Sequence, residues 1–214
     1  VLIPVFALGR MQEMLVVIDE AIKRGAIPKV PVFCSGLGMD LVNHFHQISK
    51  NTTRIRFNRK VLRSLGAQPI PRNIEPGQAP PMQGIYLVSS GMLVEHTPSY
   101  VMASSMLGDQ HNCILFVGYC DPSTPGGKLL ANRNDSSFEF EAYNHIEQIK
   151  AKIRQFDLSG HADRDQLLAY AEKLSPKTIF LTHGDPGARE WFMESLKDNG
   201  AKIINPEPLT FYET

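Results

Sequence analysis

The chain has 214 residues, 43% of them hydrophobic and 21% charged, which is enough to bury one large core or two modest ones. Basic and acidic residues both number 22, so the zero net charge excludes a whole-protein basic field for bulk nucleic-acid binding. Three cysteines are too few for a disulfide framework or a cysteine-rich zinc site.

The sequence also bears on location. Cys113 and Cys120 lie in or beside an apolar strand and are interpreted as buried free thiols, which fits a reducing cytoplasm. The longest apolar runs are too short to span a bilayer, and we expect neither a signal peptide nor membrane attachment. Because the chain opens at Val1 in mid-strand, we expect it to be part of a longer polypeptide.

The first fifty residues alternate apolar runs with amphipathic segments. Strands are predicted at residues 1–6 and 30–34, and helices at 10–24 and 36–48. Gly25 ends the first helix. This order of strand, turn and helix is typical of a parallel α/β sheet. The buried face of the first helix is defined by apolar residues at spacings of three and four: Met11, Leu15, Ile18 and Ile22.

The rest of the chain is less regular. Five prolines between residues 54 and 82 predict a surface connection with little regular structure. Buried strands are predicted at 85–89 and 112–118, and β-like alternation follows from 137 to 158. From residue 154 the pattern is strand, helix, strand, helix and a closing strand near 202–204.

Two histidines follow predicted buried strands where those strands enter small-residue turns. His161 lies in the segment QFDLSGHAD and His183 in the segment TIFLTHGD. Both are expected at the carboxyl edge of a sheet, where open α/β folds bind ligands. One helix separates them, the length of a single crossover, so their strands are predicted to be near neighbours. Asp163 and Gln166 form a capping-box pattern that places His161 just before a helix.

The remaining candidate motifs are weaker. His44 and His46 fall in a predicted helix, where residues two apart point in roughly opposite directions, so we interpret them as surface and partly buried side chains. Residues 121–128 (DPSTPGGK) resemble a phosphate loop but lack the Walker pattern; they are expected to bring Lys128 and backbone N–H groups to a phosphate. The other histidines are expected to be polar surface residues: His96, His111 and His145.

Several blocks together resemble one protein family. Residues 1–14 (VLIPVFALGRMQEM) resemble the stretch after the first signature acidic residue of β-CASP proteins, which are metallo-β-lactamase-fold nucleases. The segments SGHAD and THG resemble motifs B and C of that family, and the match continues in the right order over nearly the whole chain. The other matching blocks are SSGML at 89–93, FVGY at 116–119 and TPGGKL at 124–129.

The resemblance implies a fold and a domain division. It implies an α/β protein in which residues 1–153 form most of a β-CASP domain, a parallel sheet flanked by helices. Residues 154–214 are then the C-terminal portion of a metallo-β-lactamase αββα domain.

The same resemblance implies zinc-dependent hydrolysis of RNA phosphodiester bonds. His183 is implied to be a zinc ligand, and histidine at this place resembles the RNA-processing branch. His161 is implied to touch the scissile phosphate and to act as general acid or orient the leaving group. Further substrate contacts are implied at Ser159, Ser90, Lys128 and Arg10.

The chain departs from the family in one large respect. The main zinc-binding block, a His-x-His-x-Asp-His sequence, does not occur in these residues. A catalytic zinc normally has three protein ligands, and this chain offers about one. The resemblance implies two zinc ions as cofactors of a full-length parent, and RNA and the N-terminal half of the lactamase domain as partners. The fragment alone is expected to be inactive, and homodimerisation stays open.

The sequence also leaves two alternative functions open. The first is a non-catalytic RNA-binding or assembly module that keeps the β-CASP fold. The second is a nucleotide-binding protein of Rossmann type, which the missing glycine fingerprint disfavours.

Overall fold

A computed structural model describes residues 1–53, 56–71, 74–158 and 160–212. The chain divides into two compact units, residues 1–159 and 160–214. The domain boundary expected at residues 153/154 stays a prediction. Among the described residues, no helix is both long and apolar enough to cross a membrane.

The described residues of the first unit form eight strands: β1 (Leu2–Pro4), β2 (Val32–Cys34), β3 (Gln68–Pro69), β4 (Ile85–Val88), β5 (Cys113–Phe116), β6 (Ser137–Phe140), β7 (His145–Gln148) and β8 (Lys152–Gln155). Six of them form a sheet with the order β3-β2-β4-β1-β5-β8, in which every pairing is parallel. Strands β6 and β7 form a separate antiparallel ribbon and are connected by a 3₁₀ turn at Glu141–Tyr143. The helices are α1 (Arg10–Lys23), α2 (Gly36–Asn51), α3 (Lys60–Leu65), α4 (Pro98–Met106) and α5 (Pro125–Ala131).

Both faces of this sheet are buried, as parallel sheets require. Leu2 and Tyr86 belong to a core that α4, α5 and the ribbon complete, and Tyr86 stacks on Phe33 with ring centroids 4.8 Å apart. Their chain neighbours Ile3 and Leu87 belong to a second core with α1, α2 and α3. The prediction of an α/β fold with a parallel sheet flanked by helices is confirmed.

The proline-rich connection is more regular than the sequence predicts. It contains helix α3 and the edge strand β3. Val61 and Leu65, one helical turn apart, are buried in the second core, and Gly66 ends the helix in a left-handed conformation. The helix ends before Pro69, the first proline of this connection, and is stabilised by packing of one short apolar face. Residues 54, 55, 72 and 73 of this predicted connection lie outside the described residues.

The second unit is a small parallel pair of strands with two helices. Its elements are α6 (Arg164–Leu174), β9 (Thr178–Phe180), α7 (Pro186–Leu196) and β10 (Lys202–Ile204), with β9 paired to β10. The predicted capping box is confirmed: Gln166 N–H donates to the Asp163 carboxylate at 2.8 Å, and Asp163 N–H donates to the Gln166 amide at 3.1 Å.

The expectation that the strands before His161 and His183 are near neighbours in one sheet is wrong. Strand β8 pairs with β5 through four residue pairs and is the edge strand of the six-stranded sheet. Strand β9 pairs with β10 in a separate sheet. A single helix between two strands therefore does not place them in the same sheet here.

Asp19 supplies a testable link between pH and stability. Its carboxylate, only 12% exposed, accepts hydrogen bonds from Lys23 Nζ at 2.5 Å and from Ser64 Oγ at 2.6 Å. Burial raises the pKa of Asp19, but the bonds from Lys23 and Ser64 outweigh it and hold the pKa below its usual value. A depressed pKa stabilises the fold above the unfolded pKa, and this stability is lost as pH falls through the folded pKa.

We expect Asp19→Asn to lower the free energy of unfolding by about 1–2 kcal/mol at neutral pH. The difference from the unsubstituted chain should shrink as the pH is lowered from about 5 toward 2. Urea denaturation over this pH range measures it, with Glu20→Gln on the exposed surface of the same helix as the matched control. A pH-independent difference would contradict the role assigned to the carboxylate.

Candidate functional site

His183 lies in the turn between β9 and α7. It is exposed and adopts a left-handed backbone with φ of 63°, which is uncommon for a residue other than glycine. Leu181 N–H donates to the Ile204 carbonyl at 2.9 Å and fixes the chain as it leaves the strand. Helix α7 then begins at Pro186 with Asp185 as its N-cap. The imidazole thus stands at the carboxyl edge of β9, as predicted.

His161 lies directly ahead of α6 and is exposed. The capping box of Asp163 fixes the start of the helix two residues later. The predicted place of His161 just before a helix N-terminus is therefore confirmed. Ser159, the neighbouring candidate phosphate contact, lies outside the described residues.

The described residues do not by themselves fit a zinc ion. Within residues 1–53, 56–71, 74–158 and 160–212, no group of three or more His, Cys, Asp or Glu side chains is arranged to hold a metal. A catalytic zinc takes three protein ligands. His183 offers one exposed imidazole, so other ligands would have to come from outside this set.

Arg10, a candidate substrate contact, is engaged within its own helix. It is the first residue of α1, and its guanidinium donates to the Glu13 carboxylate at 2.5 Å. Its side chain is only 16% exposed. Gly9, with φ of 86°, turns the chain into the helix. A phosphate that bound Arg10 would therefore compete with Glu13.

Ser90, another candidate contact, shapes the turn between β4 and α4. Its hydroxyl oxygen accepts from Val94 N–H at 2.9 Å, and its carbonyl accepts from the Ser99 hydroxyl at 2.7 Å. The preceding Ser89 hydroxyl lies 3.2 Å from that of Ser35, at the end of β2. The structure thus gives Ser90 a clear role in organising the loop at this edge of the sheet.

The backbone of the loop at residues 121–128 offers little to a phosphate, and the phosphate contact of Lys128 stays a prediction. Five of its six backbone N–H groups are used inside the loop or by a neighbouring turn. Ser123 N–H donates to the Asp121 carboxylate, and Gly127 N–H donates to the Thr124 hydroxyl. Gly126 N–H donates to the Met92 carbonyl. The N–H groups of Thr124 and Lys128 are also bonded within the loop. Five of the six backbone N–H groups of this described loop are therefore not available to surround a phosphate.

Gly127 is required by close packing in this loop. A Cβ at this position would lie 2.1 Å from the Asp121 carbonyl oxygen, far inside contact distance. We expect Gly127→Ala to lower the free energy of unfolding by about 2–4 kcal/mol, because backbone must move. Gly36→Ala, where a Cβ meets open space, is the control and should be neutral or slightly stabilising. Equal effects of the two variants in thermal unfolding would contradict this packing.

Lys128 is already paired with an acidic residue. Its Nζ donates to Glu141 Oε1 at 2.8 Å, with the two side chains 45% and 59% exposed. The hydrogen bond and charge of Glu141, and also the charge of Glu95, raise the pKa of Lys128. Neither acid was identified from the sequence, because they lie on separate loops and follow no local motif.

The other histidines and the cysteines largely follow the sequence expectations. His44 and His46 lie in helix α2, and His111 Nδ1 lies 2.9 Å from the Asp109 carboxylate. The three cysteines are free. Burial raises the pKa of Cys34 to about 12 and that of Cys120 to about 11. Cys113 is only partly buried, which corrects the interpretation of it as a buried thiol.

Two family models match the chain. Residues 11–129, more than half of the chain, match the Beta-Casp domain. Residues 146–206 match the model described as the Zn-dependent metallo-hydrolase RNA specificity domain. His161 and His183 both fall within the second match.

Relatives match over most of this chain but over a smaller part of their own length. Transcription termination factor FttA of Methanothermobacter thermautotrophicus is 31% identical, over 86% of this chain and 31% of its own. The Integrator complex subunit 11 homolog of Dictyostelium discoideum is 27% identical, over 96% and 29%. An RNase J-like protein of Methanocaldococcus jannaschii is 26% identical, over 86% and 43%. The chain thus spans about a third of the length of the first two.

The observed fold agrees with these matches. Residues 11–129, which the Beta-Casp model covers, lie in the first unit with its parallel sheet, and the exposed histidines lie in the other matched segment. The relatives are similar to this chain over 86–96% of its length. The chain therefore belongs to the β-CASP family of metallo-β-lactamase-fold proteins, a family of RNA-processing metallo-hydrolases.

Proposed function

We propose that this chain is part of a zinc-dependent ribonuclease that hydrolyses RNA phosphodiester bonds. The parent protein, meaning the full-length protein or complex that contains these residues, would obtain from them an RNA-clamping domain and part of the active site. The observation that carries the proposal is the exposure of His161 and His183 at two turns of the segment matched by the metallo-hydrolase RNA specificity domain.

The second unit presents an apolar face that supports this view. Along α6, Leu167, Tyr170 and Leu174 recur at helical spacing and are 46%, 62% and 57% exposed. Among the described residues of this unit, only Leu196 and Ile204 are buried hydrophobics. Such exposure marks surfaces that other protein covers. We propose that residues 154–214 are the C-terminal segment of a lactamase domain whose N-terminal half covers this face.

The two histidines have different proposed roles. His183 would be one zinc ligand, with the others supplied from outside the described residues. Zinc, when bound, would polarise the phosphate and supply a nucleophilic hydroxide near neutral pH. His161 would lie against the scissile phosphate and donate a proton to the leaving oxygen, a task that suits an imidazole near pH 7.

RNA contact must be local, because the chain has zero net charge. Proposed phosphate contacts are Ser159, Ser90, Arg10 and Lys128. Arg10 and Lys128 are paired with Glu13 and Glu141, so phosphate binding would exchange one anion for another. The buried free thiols support a cytoplasmic protein.

Metal removal tests the proposal. The parent protein, stripped of zinc by a chelator, is expected to lose RNA hydrolysis by about 100-fold or more and to regain it when zinc is restored. The measurement is cleavage of an end-labelled single-stranded RNA. Hydrolysis that continues at the original rate without zinc would contradict the assignment.

The alternative function is a non-catalytic RNA-binding or assembly module. It draws support from the names of two relatives, a transcription termination factor and a subunit of a complex. It predicts that the zinc-loaded parent protein binds RNA and leaves it intact. The same assay therefore distinguishes the two functions.

A further inference from the structure

Lys128 is paired with an acidic residue at the surface of the first unit. Its Nζ donates to Glu141 Oε1 at 2.8 Å, and the charge of Glu95 also acts on it. The ammonium group is therefore stabilised by a direct contact with one carboxylate and by the charge of a second. A phosphate that approaches this lysine meets an ammonium group that is already bonded to a carboxylate.

The backbones that carry the pair are anchored on the core. On the lysine side, Lys128 N–H donates to the Thr124 carbonyl at 2.8 Å in the first turn of α5. On the glutamate side, Glu141 begins the 3₁₀ turn directly after Phe140, which is fully buried. The ring of Tyr100 packs 5.2 Å from that of Phe140, and its hydroxyl accepts from Ala142 N–H at 3.3 Å.

The side chains themselves remain accessible. Lys128 is 45% exposed and Glu141 is 59% exposed, so solvent and a polyanion can both reach the contact. Exposed ion pairs of this kind are weak and are readily exchanged for another partner. A fixed backbone with accessible side chains is suited to competition between an internal and an external anion.

We propose that Glu141 weakens RNA binding by occupying the ammonium group of Lys128. The inference rests on the proposed function, in which Lys128 contacts an RNA phosphate. In the protein as it stands, phosphate must displace the Glu141 carboxylate, and the lysine contributes less than a full charge to binding. Removing the carboxylate releases the whole charge of Lys128 for the RNA.

The salt dependence of RNA binding tests this directly. Each phosphate neutralised on a single strand changes the slope of log affinity against log salt by about 0.7. In the parent protein, Glu141→Gln is expected to steepen this slope measurably, by up to about that amount. It should also tighten binding about two- to fourfold at low salt. The probe is a cleavage-resistant phosphorothioate oligoribonucleotide.

A matched control distinguishes the effect of losing the Lys128 contact from the effect of changing the net charge. Glu139, exposed on β6, lies two residues away, and Glu139→Gln changes net charge equally. It should leave the slope nearly unchanged. In the Lys128→Gln background, Glu141→Gln should have no further effect. Equal slopes for the two glutamate variants, or a gain that persists without Lys128, would overturn the inference.

Two readouts keep this inference distinct from the proposed function. In the RNA-free protein, Glu141→Gln should lower the pKa of Lys128 seen by NMR, and Glu139→Gln should not. Unchanged RNA binding in Glu141→Gln, with the unsubstituted protein binding and cleaving RNA, overturns only the role of Glu141. A parent protein that binds no RNA overturns the proposed function and this inference with it.

Discussion

His161→Ala in the parent protein is expected to slow RNA hydrolysis by about 10²- to 10⁴-fold, the range that a positioned acid–base group contributes. Zinc content should stay unchanged, because the proposed role of His161 is toward the phosphate and not the metal. The imidazole is exposed just ahead of α6, where a substrate can reach it. Single-turnover cleavage and metal analysis of the same preparation measure both quantities.

His44→Ala is the matched control for this variant. His44 is exposed on helix α2 in the first unit, and its loss should leave cleavage unchanged. A loss of zinc in His161→Ala would contradict the division of roles between the two histidines. Cleavage at the original rate would remove His161 from the reaction.

His183→Ala is expected to lower zinc content and to reduce RNA hydrolysis by about 100-fold or more. Both losses have the same cause, because the proposed ligand is the imidazole itself. The left-handed φ of 63° gives a second reason to test this residue. A strained backbone at an exposed residue suggests that function, rather than stability, retains the side chain.

His183→Gly distinguishes a role of the imidazole in zinc binding from a role in stabilising the fold. Glycine accepts the left-handed backbone without the cost of about 1–2 kcal/mol that a Cβ adds. The zinc-free His183→Gly variant should therefore be at least as stable as zinc-free unsubstituted protein and still lose zinc binding and cleavage. Thermal unfolding without zinc measures the first quantity. A marked loss of stability would instead indicate a structural role for the imidazole.

Elements whose pattern is local were predictable from the sequence. The apolar spacing in residues 10–24 predicts α1 almost to the residue, and the capping box of Asp163 is present as expected. Both signals depend on residues three or four apart. The turn positions of His161 and His183 follow from the same local reasoning.

Features that depend on distant residues were not predictable. Helix α3 exists because Val61 and Leu65 pack on the core, and the apolar pattern around them is too short to predict a helix. The pairing of Lys128 with Glu141 joins residues on separate elements. The internal use of N–H groups in the loop at 121–128 depends partly on Met92. Composition and local spacing do not predict contacts between residues that are distant in the sequence.

The central claim is that His183 binds zinc in an RNA-hydrolysing protein. Crystals of the parent protein, measured on both sides of the zinc absorption edge, test it most directly. We predict an anomalous peak about 2.0–2.1 Å from an imidazole nitrogen of His183. A zinc-replete protein that cleaves RNA and shows no such peak at His183 would contradict the account.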